Sequence, residues 1–338
     1  MHRQVSIKDL ARLANVSQST VSRALRNSSL VNAETTEKIQ RLAREHGYRA
    51  SLVARSLVTR ETKAIGCVVS SIADPFVAQV ISGVYEAATQ TGYALLLANS
   101  NTDPEREIEA VLSFQDRRVD GILVVASRVG DRYGAHLASM RLPIVLINNQ
   151  HSATHIHSLM IDNVAAAQEA TRHLTNLGHR RIAYLGSTAG QFSDEERREG
   201  YRSVMKELGL ALHPELLVQG DGTPNGGEQA VREMLSQPVR PTAIFCYDDL
   251  LALGAYRAIY TAGLSIPDDI SVVGFDDVFF APYTVPPLTT MRQPMLSMGR
   301  SAMELLVKLC AGQEISEQVL VKAELVMRAS TAPPLNRS

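Results

Sequence analysis

From residue 64 onward the chain alternates short apolar runs with stretches of 10 to 16 residues patterned as helices, and this alternation leaves few folds open. The runs lie at 65–70, 93–98, 121–126 and 144–148, and the series continues at 159–162, 181–186, 216–219, 243–247 and 271–275. Strands covered on both faces read as continuous apolar runs, and parallel neighbours need a crossover helix between them. The expected body is therefore α/β with parallel sheets, and the length of the series implies two similar subdomains. Asp103-Pro104 opens one helix with a cap followed by proline at the first helical position. Ligands of open α/β sheets lie beyond the carboxyl ends of the strands, so two facing sheets make a cleft. The positions expected around it carry Ser70, Ser71, Asp74, Phe76, Asn148, Arg197, Asp248 and Asp276. Hydroxyls, carboxylates, an amide and a guanidinium can each exchange hydrogen bonds with sugar hydroxyls that have left water. Asp also commonly caps the helix after a strand, so each carboxylate taken alone has that second reading.

The first 60 residues have a different character. They hold 11 Lys and Arg against 4 Asp and Glu, leaving 23 against 31 of the chain's 34 and 35, so a net charge of −1 averages a basic head and an acidic body. Such asymmetry points to a polyanion-binding segment, the alternative being a small helical cap with a solvated basic face. Ser6 can cap a helix whose Ile7, Leu10, Ala11 and Ala14 form an apolar stripe. Asn15, tolerant of the left-handed conformation, stands where the chain must turn. Ser17 can cap a second helix with Val21, Ala24 and Leu25 inward and Gln18, Ser19, Ser22, Arg23 and Arg26 outward. A third helix is expected from Asn32, with Ile39, Leu42 and Ala43 inward and Gly47 at its end. This is a helix-turn-helix pattern, whose second helix fits the major groove. Gln18 can pair bidentately with adenine and Arg23 with guanine, whereas Thr20, Ser22, Arg3 and Lys8 suit phosphates.

Ser6-Ile7-Lys8-Asp9-Leu10-Ala11 followed by Asn15-Val16-Ser17-Gln18-Ser19-Thr20-Val21-Ser22-Arg23-Ala24-Leu25 closely resembles the head of the lactose and galactose repressor (LacI/GalR) family. Gly47-Tyr48-Arg49, Val53-Ala54-Arg55-Ser56-Leu57, Val273-Gly274-Phe275-Asp276-Asp277 and Pro287-Leu288-Thr289-Thr290 resemble its further motifs, in the right order, so the likeness runs over about residues 5–334. It implies a helix-turn-helix domain at 1–49, a hinge at 50–62 and, at 63–334, an effector-binding and dimerisation domain resembling periplasmic sugar-binding proteins. It implies double-stranded operator DNA and a sugar-like small molecule as partners of a cytoplasmic homodimer. DNA contacts are then expected from Ser17, Gln18, Ser19, Thr20, Ser22, Arg23, Tyr48, Ala54 and Leu57. In the family the hinge becomes a helix on DNA, and a leucine at the position of Leu57 wedges into the minor groove. Effector contacts are expected from Ser71, Asp74, Phe76, Asn148, Arg197 (four residues before Tyr201), Asp248 and Asp276. The chain departs from the family at Asn15, usually Gly, at Ala50, usually Pro, and at Asp248, often Asn.

Composition narrows the alternatives. Apolar residues at 45% and charged residues at 20% belong to an ordinary globular protein, and 338 residues fit two or three domains. No apolar run approaches the roughly 18 residues of a membrane helix, and Met-His-Arg-Gln-Val-Ser has no signal-peptide character, so a soluble cytoplasmic protein is expected. Cys67, Cys246 and Cys310 lie far apart without a C-x-x-C pair and read as small buried residues. His151, His155 and His157 read as a polar connecting loop rather than as metal ligands. The segment 220–227 reads as a turn, and 186–190 lacks the order of a hydrolase elbow. A strand is expected at 325–330, and the eight residues after it carry no leucine heptads for a tetramer. The reading is a regulator, with no cofactor, no metal and no catalytic residue. Its rivals are a transport-type binding protein, which has no use for the head, and an enzyme on the same scaffold, which needs a catalytic constellation in the cleft.

Overall fold

The computed structural model describes residues 5–48, 61–127, 129, 142–148, 157–187, 192–313, 315 and 318–335. Arg3, the hinge at 50–60 with Ala54 and Leu57, His151 and His155, and most of 186–190 lie outside the described residues. The chain divides into two compact units, Met1–Lys63 and Ala64–Ser338.

In the first unit, α1 (Ile7–Ala14), α2 (Gln18–Ala24) and α3 (Ala33–Glu45) follow the caps read from the sequence. Ser6 and Asp9 form a reciprocal capping box, and Asn15 ends α1 in the left-handed region at φ 58°. Gly47 takes the same region after α3 (φ 61°), where Tyr48 N–H donates back to the Ala43 carbonyl at 2.8 Å. Leu10, Val21, Ala24 and Ile39 are wholly buried, and Ile7, Leu25, Leu42 and Tyr48 pack against them.

The second unit has two lobes. The first holds a parallel sheet in the order β11-β5-β4-β3-β1-β2, with β1 (Ala64–Val69), β2 (Ala94–Asn99), β3 (Gly121–Val125), β4 (Ile144–Ile147), β5 (His157–Ile161) and β11 (Gln318–Val321). The second holds β12-β10-β9-β8-β6-β7, with β6 (Ile182–Ser187), β7 (Leu217–Gly220), β8 (Ala243–Cys246), β9 (Ser271–Asp276), β10 (Thr289–Arg292) and β12 (Glu324–Val326). Only β12 runs antiparallel, along β10, so this sheet is parallel up to one edge strand. The helices are α4 (Pro75–Gln90), α5 (Pro104–Asp116), α6 (Asn163–Asn176), α7 (Phe192–Glu207), α8 (Pro224–Leu235), α9 (Asp249–Thr261) and α10 (Met295–Cys310).

Among the described residues the chain crosses between lobes three times. It passes from β5 to α6, from β10 to α10 and from β11 to β12. Each crossing swaps the order of elements, which is why α10, late in sequence, packs on α4 in the first lobe. That contact is close: a Cβ on Gly299 would sit 2.1 Å from the Val80 carbonyl oxygen. α6 and α7 approach in the same way, since a Cβ on Gly200 would lie 2.4 Å from the Val164 carbonyl oxygen.

Several sequence expectations differ from the structure; the segment 220–227, read as a turn, is helical from Pro224, where the Thr223 hydroxyl caps α8. His157 opens β5 instead of lying in a loop, because its register against Val145 extends the β4–β5 ladder. The last strand stops at Val326 rather than at residue 330: Arg328 N–H turns to the Thr289 hydroxyl, and the buried Ser330 hydroxyl takes the Thr289 N–H at 2.8 Å. The short β10 and β11 were not read as strands, being four residues each without a marked apolar run. No helix among the described residues is long and apolar enough to cross a membrane.

Candidate functional site

On α2, Ser17 is the N-cap, and its hydroxyl oxygen accepts the Thr20 N–H at 3.1 Å while pairing with the Ser19 and Thr20 hydroxyls at 2.7 and 2.8 Å. Gln18, Ser19 and Arg23 are exposed, and Thr20 and Ser22 are half-buried. Arg26 Nε donates to the Ser22 carbonyl at 3.1 Å, which holds the guanidinium along the helix. Tyr48 is half-buried against the head's core, and burial pushes its phenol upward. Lys8 is exposed on α1.

Between the two lobes lies a cavity of about 490 Å³, within the range of small-molecule sites. Ser71, Asp74, Phe76 and Asn148 line it from the first lobe, and Arg197, Asp248 and Asp276 from the second. Ser70 lines it as well. The structure thus brings together every cleft position named from the sequence, although they span more than 200 residues of chain. Both readings of the strand-end aspartates hold at once for two of them. Asp74 caps α4 through the Phe76 N–H (2.9 Å), Asp248 caps α9 through the Leu251 N–H (2.7 Å), and each still faces the cavity. Asp276 has a φ of 110° and caps nothing.

Arg197 anchors the site. It is 2% exposed, its Nε donates to Asn163 Oδ1 at 2.9 Å, and its Nη1 donates to the Tyr247 carbonyl. Its guanidinium lies 3.5 Å from the Phe275 ring centroid and 4.5 Å from that of Tyr247, a cation–π arrangement strengthened by desolvation. Around this one cation stand Asp74, Asp248 and Asp276. Burial pushes Asp248 up to about 7, with Asp74 adding to the rise and the Leu251 N–H and Arg197 opposing it. Burial also holds Asp276 well above the usual carboxylate range, Arg197 opposing and the aspartates at 249, 248 and 74 reinforcing. Asp249 itself does not line the cavity. It accepts from the Thr290 hydroxyl (2.7 Å) and the Val278 N–H (2.9 Å), fixing the loop after Asp276, and burial raises it to about 7.

Sequence reasoning missed Gln293, which lines the cavity one residue past β10. Its Nε2 donates to Asp276 Oδ1, while its Oε1 is buried with no hydrogen-bond partner among the described residues. The strand-end rule applied to β10 finds it. Tyr247, Ser187 and residues 221–224 also border the cavity, so the short turn at 221–223 and the start of α8 form part of its rim. Among the described residues no cluster of three metal-ligating side chains occurs.

Residues 6–51 match the family described as bacterial regulatory proteins, lacI family, and residues 171–331 match a periplasmic binding protein-like domain. The ribose operon repressor of Haemophilus influenzae is 35% identical over 305 residues, covering 90% of this chain and 91% of that protein. The transcriptional repressor CytR of Escherichia coli is 33% identical over 329 residues, covering 96% of each. The solved structure of the Lac repressor dimer bound to operator and an anti-inducer aligns with a TM-score of 0.90 at 29% identity, covering 98% of this chain and 100% of that one. Likeness over the full length, at this identity and with both domains matched, has one meaning: the chain belongs to the LacI family of DNA-binding transcriptional regulators.

Proposed function

We propose that the chain represses transcription as a cytoplasmic homodimer on a pseudo-palindromic operator, under control of a small, uncharged, polyhydroxylated effector held between the lobes. The observation that carries the effector is the cavity itself. Asp74, Asp248 and Asp276 stand with one guanidinium in the cavity; the burial-raised carboxyls of Asp248 and Asp276 donate when protonated and accept when ionised, and Gln293 Oε1 adds an acceptor, so the site suits a ligand whose hydroxyls can do both. Its volume suits a monosaccharide or nucleoside. Phe76 supplies an apolar wall. Ser71, Asp74, Phe76, Asn148, Arg197, Asp248 and Asp276 are its contacts.

Residues 1–49 read DNA, 50–62 form the hinge, and 63–334 bind effector and pair with the second subunit. Gln18, Ser19 and Arg23 reach base edges; Ser17, Thr20, Ser22 and Tyr48 position the helix against the backbone; Ala54 and Leu57 enter the minor groove. Two-fold pairing matches a palindromic site. Exposed Leu96 and Leu97 on the edge strand β2, and Phe279, Tyr283 and Val285 on the second lobe, offer apolar surface for a second copy. The relatives named above are repressors, and one solved relative was captured on operator as a dimer.

Selecting double-stranded sites from a random library with the purified chain tests the DNA half. A palindromic consensus is expected, and Leu57→Ala should bind it more weakly without altering the cavity. A thermal-shift series of pentoses, hexoses, sugar acids and nucleosides tests the other half, since a ligand that binds only the native state raises its midpoint. Lack of any enriched site, or stabilisation by sugar acids alone, overturns the reading.

A further inference from the structure

The side chain that fixes Arg197 lies outside the cavity. Asn163 is 3% exposed and is the first residue of α6, directly after the crossing out of β5. Its Oδ1 accepts from Arg197 Nε at 2.9 Å, and its Nδ2 donates to Glu196 Oε2 at 2.9 Å and more weakly to the Ile161 carbonyl at 3.4 Å. The amide orientation is dictated by its neighbours, because a guanidinium can only donate and a carboxylate accepts. One amide therefore joins two adjacent residues of α7 to the last residue of β5, across the point where the chain leaves the first lobe. The neighbouring Asp162 N–H reaches the Val321 carbonyl at 3.4 Å, so a second crossing lies against the first.

Burial raises Glu196, while the Asn163 hydrogen bond and Arg197 pull it back, which agrees with a chain of donors running from guanidinium to amide to carboxylate. Such chains polarise each other and lose more than one bond when broken.

We propose that Asn163 is the positioning residue of the cleft: it sets the angle of the Arg197 guanidinium and ties it to the first crossing between the lobes. A ligand that engages Arg197 then acts on the crossing through a single amide. The cleft has a parallel link at its other side, where Asp276 is tied to Gln293 at the crossing from β10 to α10. Each of the two most buried charged groups lining the cavity is thus bonded to a residue at a crossing. The consequence for effector control rests on the cleft reading above; the positioning of Arg197 does not.

The test uses the full-length protein labelled with ¹⁵N-arginine. The Arg197 Nε–H signal, assigned by its disappearance in Arg197→Lys, should exchange slowly with water in the wild type. It should exchange at least about tenfold faster in Asn163→Ala, and Asn163→Asp, which keeps an acceptor for Nε, should restore protection. Asn163→Ser, whose hydroxyl is too short to reach Nε, carries the same comparison if the alanine variant unfolds. A residue that only supports the fold would lower the melting temperature in both Ala and Asp variants without this split. D-ribose and cytidine serve as probes in calorimetry, with affinity expected to fall about tenfold in Asn163→Ala and to recover in Asn163→Asp. If neither probe binds the wild type, the effector class is wrong, and the exchange measurement still decides the positioning. An Arg197 Nε–H equally protected in wild type and Asn163→Ala overturns the proposal.

Discussion

Helix α2 of the head and the cleft are built in opposite ways. On α2 the bonds that shape the outer face are local: Ser17 to Thr20 spans three residues and Arg26 to Ser22 spans four. In the cleft, Arg197 reaches 34 residues back to Asn163 and 50 residues forward to Tyr247, and Asp276 meets Gln293 17 residues away. Gln18, Ser19 and Arg23 on the outer face of α2 are exposed, so a change there disturbs few contacts within the fold. The cleft is buried and charged, so a change there leaves partners without water or a hydrogen bond.

The largest expected effect is at Arg197. Arg197→Ala removes two hydrogen bonds and the one cation among three carboxylates, each lost bond to a charged group being about 1–3 kcal/mol. Effector binding should fall beyond detection in calorimetry, while the site selected from random DNA stays the same. Retained effector affinity would break the contrast between the two regions.

Arg23→Ala is the counterpart on the head. A good bidentate base contact contributes about 1–3 kcal/mol of discrimination, so the preferred site should change at one position per half-site while effector affinity is kept. Lys8→Ala sharpens this, because a phosphate contact weakens all sequences alike and reduces the salt slope by about 1. An unchanged consensus for Arg23→Ala would show that α2 does not read bases in this way.

The third prediction concerns pH. Asp248 and Asp249 are raised to about 7 and Asp276 lies well above its ordinary value. The folded body then holds protons that the unfolded chain has lost above pH about 4, so these groups make stability fall as pH rises toward 7. His173 and His179, both lowered by burial, act in the opposite direction below their ordinary values. Asp248→Asn separates the two, keeping the cap on α9 and removing one titration. Its melting temperature should lie above wild type at pH 8 and change less between pH 5 and 8; an unchanged profile would count against a raised Asp248.

The smallest effect is local. Ser17→Ala removes the cap of α2 and should destabilise the head by about 1 kcal/mol, read by thermal unfolding of the head transition, with the body's transition unmoved.

The head was legible almost residue by residue. Ser6, Ser17 and Asn32 cap the three helices, Asn15 and Gly47 take the left-handed turns, and the buried stripe includes Leu10, Val21, Ala24 and Ile39. In the body β4, β7 and β8, also four residues long, were found by their apolar runs, but β10 and β11 were not, and with β10 went Gln293. A strand this short is legible only where its own residues make an apolar run, and Thr289-Thr290-Met291-Arg292 takes its burial from its neighbours.

What the amino-acid order determined by itself was everything set within one helical turn or one strand: caps, turns, apolar faces and the residue types at strand ends. The three crossings between lobes, the antiparallel edge at β12 and the pairing of Arg197 with Asn163 were decided only by tertiary structure. The physical reason is range. A cap or a stripe is satisfied by neighbours a few residues away, whereas a buried guanidinium takes whichever acceptors the packing of two helices brings within 3 Å, and no local pattern names them.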